Sequence, residues 1–154
     1  MKLKNSKLII RQLDKRMQAL HPLRDMEHLK EGWIALIRKT LNMSLRQLGE
    51  RLSVTPQGMK KIEKNEAEGS ITLNRLREAG GALNMKLVYG FVPNDGSLEK
   101  MIEKRATELA QKIVMRTSTT MKLEDQENSD QRIREAIADM TEELKREMPK
   151  SLWD

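Results

Sequence analysis

The stretch SLRQLGERLSVTPQGMKKIE, residues 44–63, decides the fold, because it has the pattern of a helix, a tight turn and a second helix. Ser44 can cap the first helix, and Gln47 three residues later would complete a capping box. Gly49 lies inside that helix, where glycine costs about 1 kcal/mol relative to alanine. We therefore expect the second helix to approach Gly49 more closely than a larger side chain would allow. The apolar stripe of the first helix is formed by Leu45, Leu48 and Leu52.

The second helix is expected to follow a turn formed by residues 53–55. Thr55 has the position of its N-cap, and Pro56 has the first helical position, where a missing N–H is harmless. Met59 and Ile62 are three residues apart and are expected to point inward. The outer face then carries polar and basic side chains, namely Gln57, Lys60, Lys61 and Lys64.

An outer face of this kind occurs on any surface helix, but its side chains also suit nucleic acid. Glutamine can bond bidentately to adenine, and lysine can donate to guanine O6 and N7. We predict that Gln57 and Lys61 read bases in the major groove of double-stranded DNA.

The residues expected to bind phosphates lie around the same pair of helices. Those on the pair itself are Ser44, Arg46, Lys60 and Lys64. A later helix capped by Thr72, with Ser70 beside it, offers N–H groups that suit a phosphate oxygen. The full set of predicted DNA-binding residues is Ser44, Arg46, Gln47, Thr55, Gln57, Lys60, Lys61, Lys64, Ser70 and Thr72.

Apolar spacing predicts further helices around this pair. Residues 26–41 resume the helical period behind it, and Arg38 and Lys39 near their end are expected to contact phosphates. The helix capped by Thr72 closes the bundle. Residues 6–20 predict an amphipathic helix whose basic face suits packing on the domain or phosphate contact equally well. Its apolar stripe is Ile9, Leu13, Met17 and Leu20.

Residues 87–92, LVYGFV, are the one segment with the pattern of a β-strand. A single strand cannot satisfy its own N–H and C=O groups, so a second subunit or a second protein is expected to pair with it. The protein is therefore expected to form a homodimer, or a hetero-oligomer with another protein.

The C-terminal part predicts two more amphipathic helices, over residues 97–116 and 128–148, with a hinge at 117–120. Their apolar stripes suit either a helical hairpin or a groove on a partner protein. Trp153 is expected to dock as an anchor. The predicted architecture is thus a mostly α protein with three parts: a basic helical arm (1–31), a DNA-binding domain (32–93) and a C-terminal extension for partner binding (94–154).

Composition and charge agree with a helical regulator. With 154 residues the chain can bury one core plus extensions, and 3% aromatic residues leave the packing to aliphatic side chains and methionine. The net charge of +6 is uneven: residues 1–40 carry ten Lys/Arg and four Asp/Glu, residues 41–92 eight and five, and residues 93–154 eleven and fourteen. The basic part suits a polyanion, and the acidic part suits a protein.

Catalytic chemistry is not expected. The chain has no cysteine, and His21 and His28 are seven residues apart without carboxylates at ligand spacing, so we expect no metal or other cofactor. No nucleophile elbow and no glycine-rich nucleotide loop is found. No apolar run is long enough for a signal peptide or a membrane span, so we expect a cytoplasmic protein.

The pattern LxxLGxxLxVTPQxMxxIE, followed by ITLxxLxxAGxALNMKLVYGFVP, resembles the Cro/cI-like (Xre) helix-turn-helix family over about residues 33–92. More narrowly, the run from Gly69 to Pro93 is similar to the group called mobile mystery protein A. Ser53 stands where the family often has glycine, and Gly49 where it often has alanine. These departures lead us to expect a turn that is slightly strained or wider than usual.

The resemblance implies a function, because members of the narrower group are encoded beside a Fic-domain protein. It implies a transcriptional regulator that represses its own operon and binds a Fic-type toxin as the antitoxin; the alternative is a stand-alone Xre-type repressor. Fic inhibition is associated with a motif (S/T)xxxE(G/N), and the near match here runs from Thr120 to Asp125 with Glu124 as its glutamate. Because aspartate takes the last position, we expect this chain not to insert an inhibitory glutamate.

Overall fold

The computed structural model describes the backbone of residues 2–121 and 129–154, and the side chains of 6–117 and 130–154. Within these ranges the protein is mostly helical, as predicted. The seven α-helices found there are α1 (Lys2–Gln18), α2 (Gly32–Thr40), α3 (Leu45–Arg51), α4 (Pro56–Glu68), α5 (Leu73–Ala82), α6 (Leu98–Met121) and α7 (Ser129–Glu147). Short 3-10 helices span His21–Leu23 and Lys150–Trp153.

The chain divides into two compact units. One consists of Asp25–Tyr89 and holds α2 to α5; the other combines Met1–Arg24 with Gly90–Asp154 and holds α1, α6 and α7. The first unit has a core of buried apolar side chains from all four of its helices. They are Ile34, Leu48, Met59, Ile62, Ala79 and Leu83, and the turn residue Val54 packs against them as a partly buried neighbour.

Side-chain caps begin three of these helices, as predicted. Ser44 Oγ accepts from the Gln47 N–H at 3.1 Å, and the Gln47 side chain accepts from the Ser44 N–H at 2.8 Å, which completes the capping box. Thr55 Oγ1 accepts from Gly58 N–H at 3.0 Å, and Thr72 Oγ1 accepts from Arg75 N–H at 3.2 Å. Each cap satisfies an N–H that a helix leaves unbonded in its first turn.

The turn between α3 and α4 packs closely on Gly49. A Cβ at Gly49 would lie 2.8 Å from the Val54 carbonyl oxygen and 3.4 Å from that of Thr55, so the expected close approach is present. The approaching atoms belong to the turn and the N-cap rather than to the body of α4. Ser53 has a φ of 55°, in the left-handed region that favours glycine, so the turn is strained as expected.

Two carboxylates of α4 fasten it to α2. Glu63 accepts from Arg38 through both oxygens, at 2.5 Å from Nε and 3.2 Å from the second nitrogen, and both side chains are about nine-tenths buried. Arg38 also donates to the Met43 carbonyl at 2.9 Å. Glu66 Oε1 accepts from the Ile34 N–H at 2.8 Å and so caps α2. The prediction that Arg38 contacts phosphate is therefore wrong, because its guanidinium is already bound inside the unit.

The hydrogen bond to Glu63 raises the pKa of the Arg38 guanidinium above its ordinary value, while burial opposes that rise. A cation whose pKa is raised in the folded protein contributes its full stabilisation at pH values below its ordinary pKa. That stabilisation is lost only as the pH rises through the raised pKa. Arg38 is therefore charged at every pH below the ordinary pKa of arginine. Its contribution to the ion pair does not weaken near neutrality.

In the second unit, α6 and α7 pack along each other. Lys145 near the end of α7 lies 3.8 Å from Glu103 near the start of α6, so the two helices run antiparallel. This is the hairpin alternative of the two that the sequence left open. Its core includes Ile102, Ala106 and Leu152.

The N-terminal helix belongs to the same unit, where it caps α6. Asp14 accepts from the N–H groups of Leu98 and Glu99 at 2.7 and 3.2 Å. His21 is half-buried, and its Nε2 hydrogen-bonds the Gly96 carbonyl at 2.8 Å. The turn before α6 is thus held from the N-terminal part of the chain.

Several expectations about single elements are wrong. The strand at 87–92 is absent, and no strand occurs among the described residues, because no other described segment lies alongside to pair with it. The hinge at 117–120 is absent too, since α6 continues to Met121. The helix expected over 26–41 begins only at Gly32. Glu124 lies outside the described residues.

Two anchors differ from those expected. Trp153 is half-exposed, whereas its neighbour Leu152 is fully buried and forms the anchor, held by a 2.6 Å bond from Arg105 Nε to its carbonyl. On α1, Ile9 and Leu13 are exposed and Ile10 packs against the core instead, whereas Met17 and Leu20 are partly buried as predicted. The buried side shifts by one residue in the first half of the stripe only, because the side of α1 that carries Asp14 is fixed at the start of α6.

We predict that Glu63→Ala lowers the free energy of unfolding by about 3–5 kcal/mol, because it leaves the Arg38 guanidinium buried without its partner. Urea unfolding followed by circular dichroism measures this. The double variant Arg38→Met with Glu63→Met should recover most of the loss, since the buried charge is removed as well.

The neighbouring pair Lys39–Glu31 provides the matched control. Its atoms lie 2.8 Å apart, but both side chains are more than half exposed, so Lys39→Ala should cost under about 1 kcal/mol. A Glu63→Ala cost no greater than that of Lys39→Ala would show that the buried pair does not hold α4.

Candidate nucleic-acid interface

All ten predicted DNA-binding residues lie in the unit of α2 to α5, and all are exposed. They fall on three places: the start of α3, the outer face of α4, and the start of α5 with the loop before it. The structure therefore puts them in one folded unit and leaves each of them accessible.

The outer face of α4 carries those of the ten predicted residues that have no polar partner. Gln57, Lys60 and Lys61 have neither a hydrogen bond nor an ion pair with any residue that the structure describes. Helix α4 itself is held through Met59, Ile62 and the two glutamates, which lie on its other side. These three side chains are thus carried by a fixed helix while their own polar atoms stay available.

Two cations of the predicted set have loose partners on their own helices. Arg46 lies 3.9 Å from Glu50, and Lys64 lies 3.7 Å from Glu68; each pair is one helical turn apart and well exposed. Exposed pairs of this type contribute about 0.3–0.5 kcal/mol, so a phosphate can replace either glutamate at little cost.

Four of the remaining predicted residues act as caps, and Ser70 lies in a loop, which limits what these five can offer a ligand. Ser44, Thr55 and Thr72 use their hydroxyl oxygens as acceptors, so each can still donate its O–H. Ser70 is placed to donate its hydroxyl to the Asn65 carbonyl at 3.4 Å. Gln47 uses its amide oxygen in the capping box, which leaves the NH₂ group as a donor. Donors of this kind suit phosphate oxygens.

Several other cations of this unit also have partners within it. Lys39, a predicted phosphate contact, forms an exposed pair with Glu31 that a phosphate could also replace. Arg51 donates to the Ala82 carbonyl at 3.0 Å at the end of α5. Arg77 lies over the Tyr89 ring, 5.7 Å from its centroid, and within 3.3 Å of its hydroxyl. Helix α4 therefore presents two lysines without a polar partner among the described residues, Lys60 and Lys61, on its outer face.

Sequence reasoning missed the residues that set the orientation of this face. Glu63 and Glu66 are three residues apart on the same side of α4 as Ile62, and acidic residues beside a buried stripe are a usable signal of a buried partner. Arg38 gave no such signal, because a basic residue near a helix end also suits solvent or phosphate.

Other kinds of site find no support in the described part of the chain. No group of three or more metal-ligating side chains occurs there. None of the described helices is long and apolar enough to cross a membrane. Comparison with protein-family models, with curated proteins and with solved structures found no match to this chain.

We predict that replacing Gln57, Lys60 and Lys61 together by alanine changes the free energy of unfolding by less than about 0.5 kcal/mol, because these side chains make no contact that the fold needs. Thr55→Ala, at the N-cap of the same helix, should cost about 1 kcal/mol. Urea unfolding compares the two. A triple variant less stable than Thr55→Ala would mean that the face supports the fold rather than a ligand.

Proposed function

We propose that this protein is a sequence-specific DNA-binding regulator that places α4 in the major groove. The observation that carries the proposal is the outer face of α4, where Gln57, Lys60 and Lys61 are exposed and without partners in the described chain. A helix of this length, presented by a helix packed behind it, fits the groove, which admits one α-helix.

The roles follow from side-chain chemistry. Gln57 at the start of α4 and Lys61 one turn further read base edges, because an amide can pair with adenine and an ammonium group can donate to guanine. Lys60, Lys64, Arg46 and Ser44 bind phosphates, and the donors of Gln47, Thr55, Ser70 and Thr72 add further phosphate contacts. The excess of basic residues over residues 1–92 supports this proposal, because phosphates supply much of the affinity for DNA.

A second role, as the antitoxin of a Fic-type toxin, is proposed from the family resemblance and from the acidic, amphipathic C-terminal part. The sequence feature that suggests a binding surface for the toxin is the pair of apolar stripes in residues 94–154. In the described part of the chain, these stripes pack against each other. A toxin would therefore meet the outer surface of the hairpin rather than an open stripe. The alternative remains a repressor that acts without a toxin.

To test DNA binding, a cognate site is first selected from random duplexes, and the affinity is then measured by fluorescence anisotropy. We expect Gln57→Ala and Lys61→Ala each to weaken binding to the selected site by about 1–3 kcal/mol and binding to random DNA by much less. Lys30→Ala removes the same charge as Lys61→Ala from an exposed residue outside α4 and should change neither affinity. An equal loss on both duplexes would contradict base reading by α4.

The phosphate contacts have a separate signature. Each of Lys60→Ala, Lys64→Ala and Arg46→Ala should reduce the slope of log affinity against log salt by about 0.9, because each contact releases about one counterion. An unchanged slope in all three variants would remove them from the interface.

For the antitoxin role, the full chain is mixed with a Fic-domain protein encoded beside it, and co-elution and adenylylation are measured. We expect a stable complex and reduced adenylylation, with the variant Glu124→Gly as inhibitory as the natural chain. Absence of a complex would leave the stand-alone repressor.

A further inference from the structure

Helix α1 presents basic side chains that no carboxylate balances. Four exposed cations have neither a hydrogen bond nor an ion pair with any described residue: Lys7, Arg11, Lys15 and Arg16. The first three follow one another at four-residue spacing, so their charges repel one another along one side of the helix. Asp14 is the only acidic residue of α1, and both of its oxygens already accept from N–H groups at the start of α6. The exposed side of α1 therefore carries an unbalanced positive charge.

Three apolar side chains are exposed on the same helix. Leu8 is 54% exposed, Ile9 59% and Leu13 41%. The core of the unit already receives Ile10 from the other side of α1, so these three side chains lie outside it. A hollow of about 640 Å³ on the exposed side is lined by Ile9, Gln12, Leu13, Lys15 and Arg16. The three apolar side chains and the four cations are here called the α1 docking face.

We propose that the α1 docking face binds an acidic amphipathic helix of another protein. Leucine-type side chains of that helix enter the hollow, and its carboxylates lie against the cations around the hollow. Such a partner buries the exposed apolar groups and removes the repulsion among the cations, which no described group of this chain does. The proposal rests on neither the DNA-binding role nor the antitoxin role.

The order of the side chains along α1 favours a protein helix over a lipid surface. Residues seven apart lie nearly in line on a helix, so Lys15 follows Leu8, and Arg16 follows Ile9, on the same side. A helix that lies on a lipid surface instead separates an apolar face from a charged face. On α1 the apolar and basic side chains share one side and are separated along the axis. A partner helix can carry its leucines and carboxylates in the matching order, whereas a bilayer cannot.

Two other anionic occupants fit the charge of the docking face but not its apolar side chains. A nucleic-acid backbone would neutralise the cations and leave Leu8, Ile9 and Leu13 without an apolar partner. Helix α7 of a second copy has an acidic stretch without basic residues over 135–143, formed by Glu135, Asp139, Glu142 and Glu143. None of the large apolar side chains of α7 is exposed, however, so α7 offers nothing to fill the hollow.

A synthetic peptide is the probe for the docking face. It has about 18 residues, enough to form a helix, with leucines at three- and four-residue spacing and glutamates on the same side. We expect the natural chain to bind it about ten times more tightly than two control peptides, one with glutamine for glutamate and one with serine for leucine. Fluorescence anisotropy measures all three. Equal binding of the three peptides, or no binding of the glutamate peptide, would overturn the proposal.

A charge exchange identifies the cations. Lys15→Glu with Arg16→Glu should weaken binding of the glutamate peptide about tenfold, and should strengthen binding of a version with lysines in place of the glutamates by a similar factor. A purely structural role of α1 cannot produce this exchange. Lys112→Glu with Lys150→Glu makes the same change of charge at exposed residues outside α1 and should leave both affinities nearly unchanged. Equal effects of the two double variants would attribute binding to net charge and overturn the docking face.

The apolar contact has its own matched pair of variants. Leu13→Ser should weaken binding of the glutamate peptide about tenfold, because Leu13 lines the hollow. Leu73 is 43% exposed, close to the 41% of Leu13, and lies in the other unit, so Leu73→Ser should leave the affinity unchanged. Equal losses in the two variants would contradict docking at the hollow.

The other occupants are tested with the same variants. Phosphatidylglycerol vesicles and a random-sequence duplex should each bind Leu13→Ser as they bind the natural chain, and the duplex should not displace the glutamate peptide. Displacement by the duplex would assign the docking face to phosphate, and vesicle binding that Leu13→Ser abolishes would assign it to lipid. Self-association in sedimentation velocity that Lys15→Glu with Arg16→Glu abolishes would assign it to a second copy. Each of these three results would overturn the proposal.

Discussion

The buried ion pair between Arg38 and Glu63 fixes the helix whose outer face is proposed to bind DNA. Both side chains are about nine-tenths buried, and Arg38 also binds the Met43 carbonyl, so one guanidinium joins α2, α4 and the turn before α3. Glu66 adds a second link by capping α2 through the Ile34 N–H. With so few aromatic residues, this unit relies on specific polar links as well as on aliphatic packing.

This arrangement separates the two sides of α4. On the inner side, Met59, Ile62 and the two glutamates bind the rest of the unit and cannot change without cost to the fold. On the outer side, Gln57, Lys60 and Lys61 form no hydrogen bond or ion pair with any described residue. A helix divided in this way can vary its outer residues, and hence the sequence it would read, without loss of stability.

The second unit shows how long-range contacts override local pattern. Asp14 on α1 accepts from two N–H groups at the start of α6, although 84 residues separate Asp14 from Leu98. The carboxylate also suits the positive end of the α6 dipole. That contact decides which side of α1 faces the core, and it unites the N-terminal helix with the C-terminal hairpin.

The sequence by itself determined the helical class, the three N-caps and the inward side of α4, because caps and apolar periodicity act within one or two turns. It also identified the exposed residues of the candidate site, since side chains on the side of α4 opposite Met59 and Ile62 have no core to enter. Only the tertiary structure decided that Arg38 is buried, that Leu152 rather than Trp153 is the anchor, and that residues 87–92 have no strand partner within the described chain. Each of these depends on a partner distant in sequence, and local spacing carries no information about which partner a side chain or a backbone group will meet.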